Sequence, residues 1–172
     1  MKYFALLLTL FIFTSCELIF PEPPEPELPP ITTTGEDTFG AMVNGVVWLP
    51  SSSIQLSSSF QSSKLIDFRA ANNFEEFDQS MSFGLNGELV QTGSFDFDSE
   101  IFDTRFLNWF DNSIGCRHLQ TDENTSFNGQ LVISNLDQRN LIVSGTFFFN
   151  ISKEGCPDVS ITDGRFDIKY TD

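Results

Sequence analysis

This chain has little positive charge, a single histidine and no hydrophobic run long enough to cross a membrane. Its 172 residues contain 9 lysines and arginines against 24 aspartates and glutamates, a net charge of −15. Such a surface argues against nucleic-acid binding, which depends on basic side chains displacing counterions. The apolar run from Phe4 to Phe13 is about half the length of a transmembrane helix. Composition therefore predicts neither a nucleic-acid partner nor a permanent membrane span.

Catalytic motifs are also scarce. Any Ser-His-Asp arrangement must use His118, and no Gly-x-Ser-x-Gly turn is present. A tetrahedral zinc site would need more than one histidine together with two cysteines, which are expected to be oxidised in an exported protein, and glycine-rich phosphate loops do not occur. We therefore expect a non-catalytic protein. The alternative is a polysaccharide hydrolase that uses a carboxylate pair, because the many acidic residues allow many such pairs.

The first sixteen residues have the parts of a secretory signal. Lys2 precedes the apolar run, and small residues follow it. Phe13-Thr14-Ser15-Cys16 resembles the lipobox of bacterial lipoproteins. This resemblance implies that residues 1–15 are removed and that Cys16 is acylated. It also implies a protein of the cell envelope, held at the outer membrane and facing the periplasm or the cell surface, with the lipid bilayer as partner.

The composition of residues 16–35 predicts a tether between the membrane anchor and the domain. Six of the eight prolines lie in residues 21–30, and proline fixes φ and lacks an N–H group, so this stretch favours extended polyproline II. Ten such residues span roughly 30 Å. Residues 36–172 are then a single domain, large enough to bury its own core.

Two cysteines remain in that domain, Cys116 and Cys156. An even pair in an exported protein favours a disulfide. Closing a loop of about 40 residues would stabilise the fold by roughly 4 kcal/mol in the chain-entropy model. Two alternatives stay open: a pair of buried free thiols, and a catalytic cysteine assisted by His118.

Apolar and polar residues alternate with period two along most of the domain, which is typical of strands with one buried face. Four dipeptides suit turns with positive φ: Asn44-Gly45, Asn86-Gly87, Asn128-Gly129 and Asp163-Gly164. The first two of these dipeptides predict hairpins over residues 41–48 and 81–90. In residues 164–170, Phe166, Ile168 and Tyr170 should face the core, with Arg165, Asp167 and Lys169 facing water.

The apolar stretch 141–149 predicts a central strand covered on both faces. Residues 74–79 and 104–110 favour one or two helical turns. The whole pattern indicates an all-β domain, an antiparallel sandwich or flattened barrel of about 8–10 short strands.

Three segments carry a family resemblance. Residues 40–48 (GAMVNGVVW) resemble the opening hairpin of small lipoproteins common in the Bacteroidetes. Residues 144–147 (SGTF) and 161–167 (ITDGRFD) resemble their closing strands. The resemblance implies a lipid-anchored all-β domain of unknown function and assigns no catalytic residue.

A calcium site is the one cofactor hypothesis that the sequence suggests, since calcium binds oxygen ligands only. The candidate ligands are Asp96, Asp98, Glu100 and Asp103. They do not form an EF-hand, because Ile101 stands at the glycine position and Leu107 at the position of the bidentate glutamate. The competing interpretation is a solvated polar strand face, and we expect no other cofactor.

Exposed aromatic side chains would suit sugar binding. Trp109 is the candidate ligand-binding residue, whereas Trp48 lies in the alternation of the first hairpin and should pack in the core. The function that we expect is a binding or assembly module of the envelope. Its partner would be a glycan, another envelope protein or a sugar-uptake machine, and the sequence does not rank the three.

Overall fold

The computed structural model describes residues 25–52, 56–61, 65–73, 78–87, 90–98 and 104–171. These residues form eleven strands and no helix. The strands are β1 Thr38–Val43, β2 Val46–Trp48, β3 Leu56–Gln61, β4 Leu65–Asn72, β5 Gln79–Asn86, β6 Gly93–Asp98, β7 Arg105–Asp111, β8 Cys116–Leu119, β9 Thr125–Asp137, β10 Ile142–Lys153 and β11 Val159–Lys169.

The strands make two antiparallel sheets. The six-stranded sheet has the order β2-β1-β11-β10-β9-β6, and the five-stranded sheet has the order β3-β4-β5-β7-β8. The two sheets face each other across a shared core and do not close into one barrel. The predicted all-β sandwich is confirmed, with one strand more than the upper end of the expected range.

Phenylalanine rings fill the space between the sheets. Phe83 of the five-stranded sheet lies 4.7 Å from Phe147 and 5.1 Å from Phe149 between ring centroids, and Phe68 lies 4.5 Å from Phe166. Aromatic pairs at this spacing add about 0.5–1.5 kcal/mol each beyond the burial of their area. The inward positions of β10 and β11 therefore supply much of the core.

The first predicted hairpin is confirmed, and the second is wrong. Asn44 and Gly45 both have positive φ and connect β1 to β2. Trp48 at the end of this hairpin is buried, as predicted. The other predicted hairpin does not form in the described residues, because β5 is paired with β4 and β7 on its two sides.

Asn128-Gly129 and Asp163-Gly164 were predicted as turns, but they lie inside β9 and β11. Each glycine is needed for close approach. A Cβ on Gly129 would lie 2.1 Å from the Phe148 carbonyl oxygen, and one on Gly164 would lie 2.5 Å from the Phe147 oxygen. Asp163 has a φ of 52° beside an irregularity in the β10–β11 register.

The helical turn predicted over residues 104–110 is also wrong, since residues 105–111 form β7 between β5 and β8. Its alternating side chains Leu107 and Trp109 are buried, so the period-two signal in this segment outweighs local helix preference. The other predicted helical segment, residues 74–79, falls mostly on residues 74–77, which lie outside the described part of the chain.

Cys116 and Cys156 lie at disulfide-bonding distance, with their Cα atoms 5.8 Å apart. Cys116 begins β8 at the edge of the five-stranded sheet, and Cys156 lies in the connection between β10 and β11. A bond between them ties the two sheets together at one end of the sandwich.

Candidate functional site

The outer face of the six-stranded sheet is divided into a covered half and a bare half. Residues 28–36, which we call the arm, cross this face over β1 and β11 and contact Gly40, Arg165 and Asp167. The bare half lies on β9 and β10. Its outward side chains, which we call the polar track, are Ser126, Asn128, Gln130, Val132, Thr146, Phe148, Asn150 and Ser152.

Phe148 is the one large aromatic side chain on the polar track. It is 46% exposed, and it stands opposite Gln130 on β9. The prediction that residues 141–149 form a strand covered on both faces is therefore wrong on the outer face. The inward residues Phe147 and Phe149 are buried, and the outer face of this strand is covered only at Ser144, beneath the arm.

Amide and hydroxyl side chains on the polar track bond to each other. Asn150 Nδ2 donates to Asn128 Oδ1 at 3.2 Å, and the Ser126 and Ser152 hydroxyl oxygens lie 2.7 Å apart. Ser160 on β11 donates to Asn150 Oδ1 at 3.2 Å. Each of these groups has further donor or acceptor capacity. The bonds therefore hold the side chains in place and leave them able to bind a ligand.

No residue of the polar track is ionisable, although the chain as a whole is strongly acidic. Asp96 lies at the border of the track, and its Oδ1 accepts a bond from Gln130 Nε2 at 2.7 Å. Two shallow clefts follow one another along the track. One, of about 260 Å³, is bordered by Phe148 and by Ile31 of the arm. The other, of about 380 Å³, is bordered by Asn128, Asn150 and Ser152.

Asp167 holds the arm on the sheet. Its side chain was predicted to face water, but it is 1% exposed because the arm covers it. Its Oδ2 accepts bonds from Thr32 Oγ1 at 2.7 Å, Thr34 N at 3.0 Å and Glu36 N at 3.2 Å. Its Oδ1 accepts bonds from Ser144 Oγ at 2.6 Å and Gly35 N at 2.9 Å.

Burial by itself would raise the pKa of Asp167. The hydrogen bonds from Ser144, Thr32, Gly35 and Glu36 outweigh burial and hold the pKa below its ordinary value. The carboxylate is therefore charged at neutral pH. Among the described residues its bonded partners are all uncharged hydroxyl and amide donors.

Three of the predicted site residues, Trp109, Asp96 and Asp98, lie among the described residues outside the cysteine pair. Trp109, proposed as an exposed sugar-binding residue, is 1% exposed and packs 5.9 Å from Trp48 between ring centroids. That proposal needs an exposed ring, so Trp109 is corrected to a core residue. Asp96 and Asp98 lie on the exposed side of β6, while Glu100, Asp103 and Cys16 lie outside the described residues.

His118 on β8 is buried. Its Nε2 lies 3.2 Å from the Pro157 carbonyl oxygen, while its Nδ1 has no hydrogen-bond partner among the described residues. Burial lowers the pKa of His118 below its ordinary value. This histidine is therefore neutral at pH 7, and it borders the same cleft as Cys116.

Across the described ranges, no three His, Cys, Asp or Glu side chains are grouped so that they could hold a metal ion. Within the same ranges, no helix has the length and apolar character that a membrane crossing requires.

Comparison with known proteins gave no match: no protein-family model, curated protein or solved structure matches this chain.

Sequence reasoning missed Phe148, Asn128 and Asn150. The signal was present in the alternation of β10, where Thr146, Phe148, Asn150 and Ser152 occupy one face. Three of these four residues are polar, which indicates a face that meets water. Three consecutive phenylalanines, residues 147–149, outweigh this alternation in the sequence, because they make the segment look apolar on both sides.

Proposed function

We propose that this protein is a lipid-anchored, non-catalytic module of the cell envelope that binds an uncharged glycan along the polar track. The observation that carries the proposal is the exposed ring of Phe148 among uncharged amide and hydroxyl side chains. A sugar ring has C–H groups on its faces and hydroxyl groups at its edge. An aromatic ring bordered by hydrogen-bonding side chains suits both surfaces.

The shape of the track supports an extended ligand. Thr146 and Ser152 are six residues apart on β10, about 20 Å at the rise of an antiparallel strand. That distance is the length of a short oligosaccharide. The two clefts lie one after the other over this distance, with Phe148 in the first and Asn150 in the second.

The absence of charge on the track supports a neutral ligand. A charged sugar would require a paired basic or acidic side chain in the track, because an unpaired charge loses hydration on binding. Charged residues stand at its borders: Asp96 and Asp163 would repel an anionic polysaccharide, and Arg165 already donates to the carbonyl oxygens of Asp163 and Pro29.

Hydrolysis is less well supported. The cleft of about 290 Å³ between the arm and β1 has two acids on its border, Glu27 and Asp37. Asp37 accepts a bond from the Lys169 backbone N–H at 2.9 Å and lies 4.0 Å from its ammonium group. A half-exposed carboxylate beside a lysine does not have the apolar surroundings of a general acid.

The anchor is the second part of the proposal. Cys16 would be acylated at the membrane, and residues between it and the arm would act as the spacer. A glycan-binding face on such a spacer would hold envelope or external polysaccharide close to the cell.

The test is binding of the full-length protein, purified from membranes in detergent, to neutral polysaccharides. Affinity electrophoresis through gels that contain mixed-linkage β-glucan, xylan or mannan measures retardation directly. We expect at least one polysaccharide to retard the wild-type protein. Phe148→Ala should weaken that binding by about 2 kcal/mol, roughly 30-fold, from lost apolar burial and lost ring contact.

Ile114→Ala is the matched control, because Ile114 is also an exposed large apolar residue but lies in the loop between β7 and β8. Its binding should equal that of the wild type. Equal binding by Phe148→Ala and the wild type would contradict the proposed site. Failure of all three gels to retard the wild type would contradict the proposed ligand.

A further inference from the structure

The arm has an exposed apolar residue between two attached segments. Arg165 Nη1 donates to the Pro29 carbonyl oxygen at 3.4 Å on one side of Ile31, and Thr32 donates to Asp167 on the other. Ile31 itself is 64% exposed. Its side chain borders the same cleft of about 260 Å³ as Phe148.

We propose that the arm is part of the glycan-binding site, with Ile31 as one wall of the cleft and Asp167 as the residue that positions this wall. The inference rests on the proposed function, since it concerns the same site. It adds that the segment leading to the membrane anchor contacts the ligand.

The composition of the cleft supports this role. Ile31 and Phe148 are its exposed apolar side chains, while Gln130, Thr146 and Arg165 supply hydrogen-bonding groups. A sugar unit in the cleft would have apolar contacts from two elements and polar contacts from the sheet beneath. Without the arm, the Phe148 ring would be the remaining large exposed apolar surface of this cleft.

Asp167 is suited to positioning because its bonds are concentrated on the arm. Four of its five donors, Thr32 Oγ1 and the backbone amides of residues 34–36, belong to the arm. Asp167 lies under the arm and does not border the cleft. A change at Asp167 would therefore alter ligand affinity through the position of Ile31 and without a lost ligand contact.

Binding and docking of the arm are linked in both directions. If the docked arm increases the affinity for a glycan, the glycan must stabilise the docked arm by the same factor. The backbone amides of Thr34, Gly35 and Glu36 report docking, because each donates to Asp167. Their hydrogen exchange should slow when ligand is present.

The test is a double-mutant cycle on the full-length protein, with cellotetraose, xylotetraose and mannotetraose as probes. Affinity is measured for whichever of these probes the wild type binds. We expect Ile31→Ala to weaken this binding about fivefold with an unchanged melting temperature. Asp167→Asn should weaken binding at least as much. The loss of affinity in the double variant should be smaller than the sum of the two single losses, because Ile31 is a less fixed wall once Asp167 holds the arm more weakly.

Thr32→Val provides a milder release of the arm, since it removes one hydroxyl donor and retains the carboxylate. It should weaken binding and speed exchange at residues 34–36 in the folded protein. Val46→Ala, on the exposed part of β2, is the control and should change neither quantity.

The outcomes separate the two proposals. Unchanged affinity in Ile31→Ala and Thr32→Val, together with lost affinity in Phe148→Ala, would overturn the role of the arm and leave the binding face intact. Additive losses in the double variant would also overturn it. Absence of binding to all three probes by the wild type would overturn both.

Discussion

Replacing Asp167 with asparagine should destabilise the domain by about 3 kcal/mol. Asparagine is nearly the same size, but it has one acceptor oxygen and a donor NH₂ group. If the NH₂ group took the Oδ2 position, it would oppose the N–H groups of Thr34 and Glu36. At the Oδ1 position it opposes only the Gly35 N–H, because the Ser144 hydroxyl can rotate and accept. The second orientation costs less.

That orientation leaves one buried N–H without an acceptor, a loss of about 1–3 kcal/mol. The three bonds from Thr32, Thr34 and Glu36 lose the charge of their acceptor, roughly 1 kcal/mol each, but most of this loss is offset because asparagine has no charge to bury. The sum of about 3 kcal/mol corresponds to a fall in melting temperature of roughly 10 °C for a domain of this size.

Urea unfolding followed by tryptophan fluorescence measures the change, because Trp48 and Trp109 are both buried and become exposed together. Asp163→Asn is the control on the same strand. Asp163 is exposed, and asparagine readily adopts its φ of 52°. This control should stay within about 0.5 kcal/mol of the wild type. Equal stability of the two variants would refute the argument that Asp167 holds the arm.

The pH dependence gives a second check on Asp167. Its folded-state pKa lies below the ordinary value of 3.8, so the unfolded carboxylate takes up a proton first as the pH falls. The advantage of the wild type over Asp167→Asn should therefore be complete well above pH 3.8. It should shrink as the pH falls below that value toward the folded-state pKa.

Three further predictions concern other parts of the chain. A fatty-acid analogue should label the wild type but not Cys16→Ser, and equal labelling would contradict the anchor. A non-reduced digest should contain one cross-linked peptide pair with Cys116 and Cys156, whose Cα atoms are 5.8 Å apart; free alkylation of both thiols in the folded, unreduced protein would contradict the bridge. The pKa of buried His118 lies below 6.5, so the free energy of unfolding should fall as the pH falls through 6.5, by up to about 1.4 kcal/mol per pH unit. His118→Gln should remove that slope between pH 7 and 5, and an equal slope in both proteins would show that His118 is not its source.

The fold was largely predictable because burial on one face of a strand imposes period two on the sequence. The alternation in residues 105–111 and 164–170 is such a signal, and it identified β11 although β7 was misread as helical. Turn signals were less dependable. Gly129 and Gly164 follow residues that favour turns, yet they serve close approach between strands, which no local pattern distinguishes from a turn.

The candidate site was less predictable, because it depends on what covers each face of a sheet. Asp167 and Phe148 lie on the same outer face, and their patterns predict an exposed acid and a buried ring. The structure reverses both, since the arm covers Asp167 and stops short of Phe148. The position of residues 28–36 is a tertiary feature, held by bonds to residues more than 100 positions away.

The central claim is that the ring of Phe148 is a platform for a sugar, and substitutions that separate ring shape from apolar area test it most directly. Affinity electrophoresis of Phe148→Tyr and Phe148→Leu against the polysaccharide that retards the wild type is the decisive measurement. We predict near wild-type retardation for tyrosine, which keeps the ring face, and lost retardation for leucine, which keeps apolar area without a ring. Equal retardation by the leucine variant and the wild type would contradict the account and would favour a protein partner that needs only an apolar contact.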